Sequence, residues 1–349
     1  MAWEVGDSFD FHGAMADMAV AGAIWSTVNG GNIWTGTPQT RFGVGVSKDI
    51  SNNGADVLVT NTFGNDTTIY VNFAFNHQNA LTGTTGVEMG FALRDTTNKQ
   101  VGIYWLNNGN VIVTSGAFNG TILGTWTGAY AAAQWNHYQI KVVINNTTGS
   151  VEIRKNGNTS DDFSVTSINT RNGSTNNYAN NVSFYGNNGA LYLDDFYVFN
   201  DQGAQPNTWQ GDVRAVQLMP NSDSSVTWTK STGASNNACV NELQENGDTN
   251  YVSTNTVSNV DLYGTAGLST TPNAIINVVL KSMVRMDDAG PHTYKNRLSS
   301  GGTTSDGSNL SLTSTYQWNW TNYLTDPHTS AAWTASGVNA ALIGPFDVA

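Results

Sequence analysis

At 349 residues the chain has room for about two domains of ordinary size, each able to bury a core of its own. A hydrophobic fraction of 39% excludes a disordered chain, and the charged fraction is only 11%, against roughly 25% in an average soluble domain, so polarity falls to Asn, Thr, Ser and 36 Gly. The formal net charge of -12, from 26 acidic against 14 basic residues without a basic cluster, argues against nucleic-acid binding, which gathers Lys and Arg on one face to displace counterions.

Such a composition favours turns and strand edges over helix interiors and predicts an all-β chain. The first residues, MAWEVGDSFDFHG, lack a basic region followed by an apolar run, so no secretory signal is predicted and synthesis in a host cytoplasm is expected. No window approaches the roughly 20 apolar residues of a membrane helix, and no membrane insertion is expected. Met15 to Ile24 has the makings of a short helix, and the Gly-spaced segment Thr40 to Val46 follows. Strict alternation at 68–76, TIYVNFAFN, predicts a strand with Ile69, Val71, Phe73 and Phe75 on the core face. Strands at 87–94, 100–106, 110–115 and 121–127, separated by Asp95 to Asn98 and Asn107-Asn108-Gly109, read as a meander with the turn spacing of a β-sandwich. Tyr138, Ile140, Val142 and Ile144 alternate with polar residues, Asn145 to Gly149 supplies a reversal, and Val151 and Ile153 return towards an Asn156-Gly157 turn. Segments 182–186 and 190–199 close a first domain at 1–200, and the second is apolar on both faces. The aperiodic stretch 201–210 reads as a linker to a second β-sandwich at 211–349, with strands at 213–219, 238–243, 275–286, 315–323 and 342–348 and helical turns within 330–341.

Trp135-Asn136-His137-Tyr138-Gln139-Ile140, Gly149-Ser150-Val151-Glu152-Ile153 and Asn156-Gly157 resemble, in order and spacing, the W-x-H-Y/F-x-I/V … G-x-V-x-I … N-G pattern of laminin-G and concanavalin A-like domains. Arg41-Phe42-Gly43 and the closing run Tyr192 to Asn200 are similar to further elements of those domains. The resemblance spans about residues 3 to 200 and implies a jelly-roll-like sandwich. The join between Asp194-Asp195-Phe196-Tyr197-Val198 and Gly211-Asp212-Val213-Arg214 resembles a two-domain layout of tailed-bacteriophage structural proteins. So do Trp228 to Gly233, Tyr251-Val252-Ser253 and Asp326-Pro327 … Ala332-Trp333-Thr334. That resemblance implies a non-enzymatic component of a virion surface, a capsid decoration or a tail or fibre protein. Such a protein reaches the outside by lysis, docks on other virion proteins and forms a homo-oligomer, by analogy a trimer. A glycan-binding module that recognises host-surface polysaccharide is the alternative reading, and a polysaccharide depolymerase a third.

The depolymerase reading needs two carboxylates roughly 5 to 10 Å apart. The chain has five glutamates, Glu4, Glu88, Glu152, Glu242 and Glu245, and none falls in an E-x-D-x-E strand. No catalytic residue is assigned. Asp194 and Asp195 are the candidate calcium ligands, although neighbours in a strand point to opposite faces; the competing reading has one accept hydrogen bonds from a loop while the other meets solvent. Asp161-Asp162 and Asp287-Asp288 lie beside turns, where acids cap backbone amides. The five histidines show no zinc spacing, and His137 reads as a packed strand residue. The single cysteine, Cys239, reads as a small core residue. No cofactor beyond calcium is expected. Trp105 and Trp126 are the candidate glycan-stacking residues, and Trp318 and Trp320 read as a core face turned towards another sheet.

Overall fold

The computed structural model describes every residue except 1–2, 13, 31, 36–38, 43–45, 51–54, 173, 188–189, 204–205, 243–245, 291 and 349, and only the backbone of 46, 47 and 55. Gly43, Leu243 and Glu245, on which expectations rested, lie outside the described residues. Two compact units form: Met1–Ala19 with Ile24–Ala215, and Val20–Ala23 with Val216–Ala349. The boundary after 215 replaces the expected linker at 201–210, and the second unit borrows four residues from the amino-terminal part of the chain. The all-β, two-sandwich architecture is the one expected.

The first unit contains β1 (Trp3–Asp7), β2 (Trp25–Val28), β3 (Ile33–Thr35), β4 (Val46–Asp49), β5 (Ala55–Thr60), β6 (Thr68–His77), β7 (Val87–Asp95) and β8 (Asn98–Leu106). It continues with β9 (Val111–Ser115), β10 (Ile122–Trp126), β11 (Trp135–Val143), β12 (Gly149–Lys155), β13 (Phe163–Ile168), β14 (Asn181–Gly186) and β15 (Leu191–Asn200). Met15–Ala19 forms a 3-10 turn in place of the expected helix. An eight-stranded sheet runs β13-β12-β11-β6-β15-β4-β3, with β1 added beside β15, and a seven-stranded sheet runs β10-β9-β8-β7-β14-β5-β2. All pairings are antiparallel. The β11–β12 register sets Ile140 against Ile153 and Val142 against Val151. Asn145 Oδ1 accepts the N–H groups of Thr147 (2.9 Å) and Thr148 (3.1 Å), so its side chain builds the turn. Asn156 and Gly157 both take positive φ, 52° and 78°, as a type I′ turn requires.

The inner faces meet in one aromatic-rich core. Phe73 stands edge-on to Phe91 (5.6 Å) and Trp105 (5.7 Å), and Trp105 stands edge-on to Tyr138 (5.1 Å). β6 and β15 are buried on both faces, because residues 207–215 cross the outside of the eight-stranded sheet. For β6, alternation predicts one covered face and here there are two; β15, apolar on both faces in sequence, is covered on both as expected.

The second unit contains β16 (Pro220–Ser225), β17 (Thr229–Lys230), β18 (Val252–Ser253), β19 (Leu262–Thr265), β20 (Val278–Val284), β21 (Thr293–Ser300), β22 (Thr303–Asp306), β23 (Leu310–Ser311), β24 (Gln317–Tyr323), α1 (Ala335–Ala340) and β25 (Leu342–Asp347). A six-stranded sheet β16-β19-β25-β21-β22, with β23 beside β21, packs against the β20–β24 ladder over a core of Leu280, Leu298, Tyr323, Trp333, Val338 and Ala341. No strand forms at 213–219, and 237–239 is a 3-10 turn in which Cys239 is buried. Trp318 and Trp320 face away from this core and close on the Lys281 ammonium, at 3.6 and 4.1 Å. The inward face of β24 is instead the polar one: Asn296, fully buried, donates from Nδ2 to the carbonyls of Leu280 and Asn319, both at 3.1 Å. A buried amide that bridges two strands satisfies carbonyls that an apolar residue would leave unpaired.

Candidate functional site

The seven-stranded sheet carries a cleft of about 510 Å³ on its solvent side, lined by Thr85, Gly86, Val87, Leu106, Asn108, Asn110, Ile112, Phe118, Asn119, Ile122 and Thr125. Its floor is Leu106 and Ile112 with Val87, part of the second hydrophobic cluster of the first unit, which Tyr104 and Tyr185 complete outside the lining. Period-two alternation explains the arrangement. In β8, Ile103 and Trp105 point into the sandwich, which leaves Tyr104 and Leu106 for the outside.

Tyr104 lies over two glycines, Gly90 on β7 and Gly102 on its own strand; a Cβ at either would collide with the ring. Glycine is therefore required at both positions by the close approach of an aromatic ring to the backbone. Phe118, on the β9–β10 connection, stands over the ring at 6.2 Å and lies 5.4 Å from Tyr185. Phe118 is 43% exposed and Ile122 57%, the two largest apolar groups that the cleft offers to solvent. The amides of Asn108, Asn110 and Asn119 with the hydroxyls of Thr85 and Thr125 make the polar part of the wall. Each amide supplies both donors and an acceptor.

No charged side chain lines the cleft. Asp56, opposite Tyr185 in the β14–β5 register, is paired with Lys99 at 2.8 Å. Glu88 accepts a hydrogen bond from Asn107 Nδ2, and burial raises its carboxyl. Burial, then the nearby Asp56 and Glu88 carboxylates, raise the Tyr185 phenol. The surroundings thus disfavour additional negative charge.

Neither sequence-derived tryptophan forms this site. Trp105 is fully buried between the sheets, so its place in a loop-proximal glycan site is corrected. Trp126 pairs with Val111 on the inner side of β10 and stacks on Phe163 at 6.4 Å, with the Lys155 ammonium 5.5 Å from the ring; it closes the core edge. The residues that do build the cleft were hidden from sequence reasoning because Leu106 and Ile112 sit within apolar strands that do not announce an outward face. The signal that marks the outward aromatic beside them, Tyr104, is the pair of glycines, Gly90 and Gly102, in otherwise regular strands.

Asp194 and Asp195 occupy a bulge in β15, where Asp195 takes φ 50° and the register slips before Tyr197. The bulge turns both carboxyls towards the chain's own donors. Asp195 Oδ2 accepts from the Arg41 guanidinium at 2.7 Å and its Oδ1 from the Ala215 N–H at 2.8 Å. Asp194 Oδ1 accepts the Asp195 N–H at 2.8 Å. Burial, reinforced by the Asp195 charge, holds the Asp194 carboxyl well above the usual carboxylate range. The cation that Asp195 meets is thus the Arg41 guanidinium, and among the described residues no three His, Cys, Asp or Glu side chains group together. The acids near turns act as caps or pairs: Asp162 Oδ2 accepts the Lys155 N–H (2.8 Å), Asp161 binds Arg154 (2.8 Å), and Asp288 binds His292 (2.8 Å). Of the glutamates, Glu4 accepts from Gly64 and Asn200, Glu152 pairs with Lys141, and Glu242 accepts from Asn250.

No protein-family profile matches the chain, and no curated protein does. Among solved structures it is similar to the carbohydrate-binding module CBM66 from Bacillus subtilis, at 11% identity over 52% of this chain and 97% of that one, TM-score 0.33. It is similar to the catalytic domain of a GH131 β-glucanase from Podospora anserina, at 10% identity over 58% and 99%, TM-score 0.35. A third is the CBM2 module of an evolved Dit of Lactobacillus casei BL23 phage J-1, at 10% identity over 44% and 75%, TM-score 0.30. Similarity at this level carries no functional argument.

Proposed function

We propose that the chain is a non-enzymatic binding protein whose first unit takes an uncharged saccharide in the cleft of the seven-stranded sheet. The observation that carries this reading is the cleft's combination of an apolar floor and exposed Phe118 with a wall of Asn and Thr and no charge. A sugar ring has an apolar C–H face that packs on such a floor and equatorial hydroxyls that pair with amides. A concave, mostly apolar site with a few placed polar groups is what such a ligand needs. Against an enzyme stands the absence, among the described lining residues, of any carboxylate to serve as acid, base or nucleophile. Titration of neutral and uronic-acid polysaccharides into the protein by calorimetry tests the reading. Saturable heat with a neutral polymer, lost in Phe118→Ala, is expected; no binding to any neutral polymer sinks it.

The site of action we propose is the surface of a tailed-phage particle, where the protein assembles with copies of itself and other virion proteins and meets host-surface polysaccharide. This placement rests on the sequence resemblances of residues 194–214, 228–233, 251–253 and 326–334. Mass spectrometry of purified particles would find the chain there; its absence from them overturns the placement while leaving the saccharide reading intact.

A further inference from the structure

Residues 207–215 cross the outer face of the eight-stranded sheet on bonds made to side chains. Gln139 Oε1 accepts the N–H groups of Gln210 (2.8 Å) and Gly211 (2.9 Å). Asp195 Oδ1 accepts that of Ala215 (2.8 Å). Arg41 donates to the Val213 carbonyl (3.0 Å) and pairs with both Asp195 and Asp212. Trp209 is held between the Tyr70 ring (5.5 Å) and the Arg154 guanidinium (4.1 Å).

What this segment covers is poorly matched to burial. On the same sheet face Asn72 Oδ1, Gln139 Nε2, Tyr197 Oη and both ring nitrogens of His137 make no hydrogen bond, although none of these residues is more than 4% exposed. Asn72 lies opposite both Gln139 and Tyr197 in register, so the unpaired atoms form one patch. His137 stacks beside Tyr197 at 6.3 Å, and its Nδ1 is 3.8 Å from Asp212 Oδ1. Burying polar atoms without partners opposes docking, and undocking lets water reach this face, while Trp3 of β1 stays stacked on the Tyr197 ring at 5.7 Å.

We propose that residues 207–215 form a latch that undocks as one unit, wetting this polar face and releasing the tether that leads into the second unit. Nine freed residues reach up to about 30 Å when extended. Release is collective because one guanidinium, that of Arg41, joins the sheet residue Asp195 to both Asp212 and Val213 of the latch. This is independent of the saccharide cleft, which lies on the other sheet.

Amide hydrogen exchange on the full chain, resolved at single residues by NMR, tests it. The Gln210, Gly211 and Ala215 amides are expected to exchange at one common opening rate constant, at least tenfold faster than the amides of β6 and β11. Asp212→Asn accepts from none of the three, lies on an exposed position, and is expected to accelerate all of them at least threefold with β8 unchanged. Gln139→Ala is expected to accelerate Ala215 as well as the two amides that it frees. The latch is overturned if wild-type amides at these three positions exchange no faster than β6. It is equally overturned if Asp212→Asn leaves them unchanged, or if Gln139→Ala accelerates Gln210 and Gly211 alone.

Discussion

Tyr104 and Trp105 are neighbours in one strand and serve opposite ends. Trp105 fills the space between Phe73, Phe91 and Tyr138, and its removal leaves a large cavity in a close-packed core. Trp105→Ala is expected to lower stability by about 3 to 5 kcal/mol in denaturant titration; a loss below about 1 kcal/mol would contradict the packing described. Tyr104→Ala instead takes away the ring on which Phe118 rests, and saccharide affinity should fall about tenfold, roughly 1.4 kcal/mol, with a smaller loss of stability. The sequence places both residues in a strand, and alternation assigns them to opposite faces. Which face is core depends on what Phe73 and Tyr138 bring from distant strands, and no local pattern contains that. Asp194 makes a second point at this scale. Its carboxyl is raised above the ordinary range by burial and by Asp195, so the folded chain holds a proton that the unfolded chain releases. The stability linked to that proton is fully present below the unfolded pKa and is lost as pH rises through the folded one. Melting curves between about pH 5 and pH 9 should therefore show a steeper decline for the wild type than for Asp194→Asn, which has no proton to lose. Parallel declines would show that Asp194 does not titrate in this way.

Elements were legible where one face of a strand meets the core and the other meets water. β11 and β12 follow that rule, and the turns around Asn145 and Asn156-Gly157 were readable from their own residues. β6 breaks it, because the latch covers its outer side, and a segment without periodicity such as 207–215 gives no sign that it docks; β15 announces its two covered faces by large apolar groups on both. β24 inverts the expectation altogether. Its tryptophans turn to Lys281 while Asn319 and Tyr323 lie on the other face, the one that meets the core and the buried Asn296 of β21. The glycines against the Tyr104 ring give a prediction that belongs to β7 and β8 together. Gly90→Ala places a methyl group in the Tyr104 ring and must push that ring out of its seat. Overpacking of this kind costs about 1 to 3 kcal/mol, and saccharide binding should weaken along with stability. Unchanged binding in Gly90→Ala would show that the seat of Tyr104 does not support the cleft.

At the scale of the whole chain, the two units differ in what holds them. The first has an extensive core drawn mostly from its two sheets, with Phe9, Met18 and Tyr130 added from connections. The second relies on a few side chains around Leu298 and Trp333, and it borrows Val20–Ala23 from a point in the sequence about 200 residues earlier. The Trp318 N–H donates to the Ala21 carbonyl at 2.8 Å, and Ala21 pairs with Gln317. Gly22 takes φ 78°, and a Cβ there would strike the Trp318 carbonyl, so this position tolerates no other residue without strain. A chain cut at an apparent linker could not reveal such a loan, because four residues within an Ala- and Gly-rich stretch carry no periodic signal. The consequence is unequal autonomy. A fragment of residues 1–215 keeps its core and its latch and is expected to unfold in one cooperative transition. A fragment of residues 216–349 lacks the strip beside β24, and with it the partner of the Trp318 N–H and the pairing of Gln317. It is expected to bind a hydrophobic dye and to melt without a sharp transition, and addition of a peptide spanning residues 16–26 should restore part of the cooperativity. Cooperative melting of 216–349 alone, at the temperature of the second unit in the intact chain, would show that the borrowed strip is dispensable.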